Sequence, residues 1–110
     1  MGEFFDQYIV LVQKKTKLYE TINPDRNSLD MYLQGLRDEL WEVEVEIKDN
    51  NLVYLEDELW DILRDYMNLL YILENEGKIR SRKNVFQRSF EKYWERVSDK
   101  EKWILRKETK

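Results

Sequence analysis

The chain has 110 residues, 42% of them hydrophobic and 38% charged, a composition typical of one globular domain and unlike disordered, collagenous or membrane-spanning chains. Three Gly and one Pro supply too little turn chemistry for a many-stranded fold, and the absence of Cys and His excludes a disulfide framework, thiolate zinc sites, Cys nucleophiles and imidazole bases. The net charge of −4 conceals a polarity along the chain: residues 28–79 carry fourteen acids against four bases, and residues 80–110 carry five acids against eleven bases.

An all-α fold in a single domain over residues 1–110 is therefore expected, with a core at about 4–97 and a C-terminal tail that frays. No apolar run approaches bilayer thickness and no basic, apolar, small-residue leader is present, so neither a membrane partner nor a secretory signal is expected and the cytoplasm is the default location.

Four helices are predicted. In the first, Phe4, Phe5, Tyr8, Ile9, Leu11, Val12, Leu18, Tyr19 and Ile22 recur at helical spacing, and Asn23-Pro24-Asp25 closes it. Asn27 or Ser28 can cap the second, whose Leu29, Leu33, Leu36, Leu40, Val43 and Ile47 alternate steps of four and three. Asp49-Asn50-Asn51 breaks that stripe. A third stripe runs through Leu52, Leu55, Leu59, Ile62, Leu63, Tyr66, Leu69, Leu70 and Leu73, with Gly77 as a stop. So short a connection predicts a central antiparallel hairpin. The last helix is expected to begin near Asn84, with Phe86, Phe90, Tyr93 and Val97 on its apolar face. These stripes and the four Trp residues exceed what a chain this small can cover, so self-association into a dimer or tetramer is expected.

The chemistry lies beside the stripes. Glu39 and Glu42 sit three apart on the second helix, and Glu58 and Asp61 repeat that spacing on the third. If the hairpin pivots near Asn50, Glu42 stands level with Glu58 and Glu39 with Asp61, the inner pair roughly 12 Å from the turn. Glu46 and Asp65 extend the same flanks. Carboxylates gathered in one groove repel unless cations neutralise them, and an all-oxygen donor set suits magnesium or manganese. A solvated acidic face is the competing explanation. The basic tail could suggest nucleic acid, but the acid excess of residues 28–79 argues against it.

Asp38-Glu39-Leu40-Trp41-Glu42 followed by Glu58-Leu59-Trp60-Asp61 resembles the EExxE and ExxD signature of the MazG-like, all-α nucleoside triphosphate pyrophosphohydrolases, related to dimeric dUTPases and phosphoribosyl-ATP pyrophosphohydrolases. The first acid is Asp here. Pro24-Asp25-Arg26-Asn27-Ser28-Leu29 resembles that family's entry to its second helix, and residues 88–96 are similar to its closing RxANxKFxxR segment, with Phe90 where Asn is usual.

The resemblance covers roughly residues 24–97 and implies a four-helix, MazG-like bundle completed by oligomerisation. It implies hydrolysis of a nucleoside triphosphate to the monophosphate and pyrophosphate, with Mg²⁺ held by Glu39, Glu42, Glu58 and Asp61. Glu39 or Glu42 would orient the attacking water. Lys92 and Arg96, one helical turn apart, would clamp phosphates or, alternatively, pair with Glu91 and Glu95 as surface charges. Helix 1, through Phe5, Tyr8 or Ile9, would close a base pocket, and Trp41 and Trp60 would pack against another helix or subunit. A non-catalytic helical interaction module using the acidic face is the alternative function.

Overall fold

A computed structural model describes residues 2–22, 28–48 and 50–108. Among these, four helices and no strand are present: α1 (Gly2–Ile22), α2 (Leu29–Glu46), α3 (Leu52–Asn75) and α4 (Arg82–Glu108). The chain is all-α, and its contacts divide into two compact units, Met1–Lys78 and Ile79–Lys110.

The first unit is the α2–α3 hairpin with α1 packed on α3. Ser28 begins α2 as expected, its Oγ accepting from the Met31 amide at 3.2 Å, and Asp30 adds a negative charge at the positive end of the helix. Asn23-Pro24-Asp25, Asn27 and Asp49 lie outside the described residues. At the turn, Asn50 adopts a left-handed φ of 60°, a conformation that Asn tolerates better than most residues. Asn51 then donates from Nδ2 to the Glu46 carbonyl at 2.8 Å and to Glu46 Oε2 at 2.5 Å, tying the start of α3 to the end of α2.

Gly77 ends α3 with φ 72°, and the amides of Lys78 and Gly77 donate to the carbonyls of Leu73 (2.9 Å) and Glu74 (3.0 Å). This is the paired closure that a left-handed glycine permits.

The core sits at the end of the hairpin away from the turn, where Val12, Tyr32, Met67, Leu70, Tyr71 and Ile72 are buried. Lys15 Nζ donates to Tyr32 Oη and Asn68 Oδ1, so one α1 side chain binds both hairpin helices there. Nearer the turn the predicted stripes lie open: Leu52 is 74% exposed, and Leu40, Ile47 and Leu59 are exposed as well. Two helices alone cannot enclose a stripe, and α1 docks too far along to cover this end.

In the second unit α4 begins at Arg82 rather than near Asn84, because Ser81 Oγ takes the Asn84 amide at 3.0 Å and caps the helix earlier. The helix continues to Glu108, with Phe90 and Trp94 rings 5.9 Å apart on one face. No described helix is long and apolar enough to cross a membrane.

Candidate functional site

The hairpin register brings acids from both helices together. Carboxylate oxygens of Glu39 on α2 and of Glu58 and Asp61 on α3 all lie within 4.8 Å of one another. Glu39 Oε2 and Glu58 Oε2 are buried and find no hydrogen-bond donor among the described residues. Glu42 is exposed beside this triad, close enough for its carboxyl to act on both Glu39 and Glu58. Glu46, by contrast, is engaged by Asn51 at the turn.

Electrostatics follow from this crowding. Burial, then the carboxyls of Glu58 and Asp61 across the hairpin and of Glu42 on the same helix, push the Glu39 carboxyl up to about 8. The neighbouring Glu42 carboxyl is the main influence raising Glu58. Arg64 supplies positive charge, its Nη1 3.2 Å from Asp61 Oδ1 and its Nε 3.3 Å from Asp65 Oδ1. The guanidinium also lies 5.2 Å over the Trp60 ring. Trp60 thus supports Arg64, and both Trp60 and Trp41 remain exposed. Two buried carboxylate oxygens without a donor among the described residues, in an all-oxygen cluster, fit a small hard cation.

Next to Glu39 is a cavity of about 390 Å³. From α1 it is lined by Lys15 and Tyr19; Phe5, Tyr8 and Ile9, the residues expected from the sequence, do not line it. Burial pushes Lys15 down to about 8, with Arg64 acting in the same direction, and burial with neighbouring Tyr19 pushes the Tyr32 hydroxyl up to about 12. Sequence reasoning missed Lys15, Arg64 and Asn68, and it took Asp65 for another flank acid. The one sequence signal was Gly35 in mid-helix, a residue that costs about 1 kcal/mol there relative to Ala and so marks a close approach.

Lys92 and Arg96 are exposed on α4, in the second unit. Lys92 shares with Arg80 and Arg88 the lining of a shallow cavity of about 780 Å³ within that unit. Arg82 is a buried residue of the first α4 turn.

Comparison with curated proteins and with solved structures gives no match. Among protein families, the MazG nucleotide pyrophosphohydrolase domain matches residues 27–100, a stretch that contains α2, α3, all four acids and most of α4. With that coverage and with the acidic pairs facing across the hairpin, the chain belongs to the MazG nucleotide pyrophosphohydrolase family.

Proposed function

We propose that the chain is a Mg²⁺-dependent nucleoside triphosphate pyrophosphohydrolase, acting as one domain on (d)NTP and releasing (d)NMP and pyrophosphate. The observation that carries this reading is the convergence of Glu39, Glu58 and Asp61 within 4.8 Å, with two buried carboxylate oxygens that no donor among the described residues satisfies. Glu39, Glu42, Glu58 and Asp61 would hold the cation, with Mn²⁺ as a substitute. When bound, it supplies charge neutralisation on the triphosphate and lowers the pKa of water.

The residues of the chain do the rest. Glu39 or Glu42 orients the attacking water and takes its proton. The water oxygen bonds to the α-phosphorus, and the bond from that phosphorus to the bridging oxygen breaks, its electron pair leaving with pyrophosphate. Lys92 and Arg96 match the basic positions of the family's closing segment and are assigned to the phosphates on that similarity. Assembly as a dimer or tetramer is supported by the large apolar side chains left exposed, including Leu40, Trp41, Leu52, Val53 and Leu59.

The test is chromatographic separation of products after incubation with ribo- and deoxyribonucleoside triphosphates, in Mg²⁺ and in EDTA. Monophosphate and pyrophosphate without diphosphate, in Mg²⁺ only, is the expected result. Absence of product with every nucleotide would favour a non-catalytic interaction module.

A further inference from the structure

The cavity beside Glu39 shares that residue with the acidic cluster, so whatever occupies it is in contact with the site where phosphates would be cleaved. Its size falls in the range of about 300–1,000 Å³ used by small-molecule sites. Tyr19 and Tyr32 give it aromatic walls, and the Lys15 ammonium lies 5.4 and 4.7 Å from their ring centres.

Asp65 is the unusual element. It is 5% exposed, yet the described residues supply it with one donor, Arg64 Nε on Oδ1. Its Oδ2 is turned toward Gly35, where a Cβ would stand only 2.7 Å away. Glycine at this position makes room for the carboxylate at the cavity wall, against the helix preference for Ala. A carboxylate accepts and never donates, and two oxygens can take about four hydrogen bonds. Acceptor capacity therefore remains unused in the wall of a cavity that adjoins the acids.

We infer that this cavity is the nucleobase subsite and that Asp65 selects bases carrying an exocyclic amino group, cytosine, adenine or guanine, over uracil and thymine. The inference rests on the nucleotide reading of the acidic cluster. An amino group offers N–H donors to Oδ2. Uracil and thymine present a ring N–H flanked by two carbonyls, which would set acceptors against an acceptor, and sites built to pair one polar group discriminate strongly against ligands lacking it. Tyr19 or Tyr32 supplies an apolar face for the ring.

The experiment is steady-state turnover of CTP, ATP, GTP and UTP, with their deoxy counterparts including dTTP, by the wild type, Asp65→Asn and Gly35→Ala. The wild type should favour the best amino base over UTP and dTTP by about tenfold or more in kcat/KM. Asp65→Asn should lose most of that preference through KM, because its amide can donate to a carbonyl. Gly35→Ala displaces the carboxylate while improving the helix, and it should narrow the same preference. If Asp65→Asn does not fold, Gly35→Ala decides alone. A wild-type preference for UTP or dTTP, equal use of all bases, or an unchanged ranking in both variants would overturn the subsite while leaving the enzyme assignment standing. No turnover of any triphosphate, together with no calorimetric binding of any nucleoside monophosphate, would overturn both.

Discussion

Arg64 holds Asp61 at 3.2 Å one turn back along α3, so one of the three clustered acids is ion-paired to a residue of its own helix. The same guanidinium reaches Asp65, so Arg64 bridges an acid of the cluster and an acid of the neighbouring cavity. Removing it leaves the cluster more negative and Asp61 unpaired. Arg64→Gln is expected to tighten Mg²⁺ binding severalfold in calorimetry and to lower the melting temperature of the metal-free protein; weaker Mg²⁺ binding would instead show that Arg64 orients Asp61 for the cation.

Glu58 offers a sharper test of the cluster. Glu58→Gln keeps size and polarity but removes a negative charge from the centre of the triad. Its circular dichroism should match the wild type, while turnover falls by about 100-fold or more and Mg²⁺ no longer raises the melting temperature. A folded variant with full activity would remove Glu58 from the assignment.

The raised carboxyl of Glu39 has a pH signature in the metal-free protein. Below its ordinary value of 4.5, both folded and unfolded chains carry the proton; between there and about 8 the unfolded chain gives it up and the folded chain keeps it. The folded state then binds more protons, so stability falls as pH rises through this window. Glu58, also raised, acts in the same sense. Melting temperatures in EDTA should decline from pH 5 to 8, and Glu39→Gln or saturating Mg²⁺ should flatten the decline. A flat profile in the wild type would contradict the crowded arrangement.

Leu70, buried in the α3 half of the core, should cost about 2–5 kcal/mol when changed to Ala. Loss of the Ser28 cap in Ser28→Ala should cost about 1 kcal/mol. Urea unfolding with both variants compares packing with capping, and equal losses would place the core elsewhere.

Lys92→Ala should raise KM for the triphosphate with little change in kcat if the side chain only binds phosphate. Unaltered kinetics would class Lys92 with the solvated charges of α4.

The hairpin was legible because its signal is local and periodic. Steps of three and four fixed which face each acid shares, and the polar break at Asn50 and Asn51 set the level at which Glu39 meets Asp61. The cavity was not legible in the same way. Its walls come from three helices, and nothing in the run Lys14-Lys15-Thr16-Lys17 distinguishes the lysine that turns inward to Tyr32 and Asn68 from those that stay in solvent. Asp65 follows Asp61 at helical spacing and so looked like one more flank acid, although burial and Arg64 give it different surroundings. The exposed Leu52 and Leu59 show the converse: a stripe states which face is apolar, and not how much of that face another helix covers.

The left-handed Asn50 makes the hairpin a ruler whose zero lies outside the site. One residue inserted between Glu42 and Asn50 would turn both α2 acids by about 100° about the helix axis and shift them by about 1.5 Å relative to Glu58 and Asp61. Such an insertion would part Glu39 from Glu58 and Asp61 without altering any of the three. The short connection is thus under a stricter length constraint than its polar sequence suggests, and variation among related chains should favour substitution there over insertion or deletion.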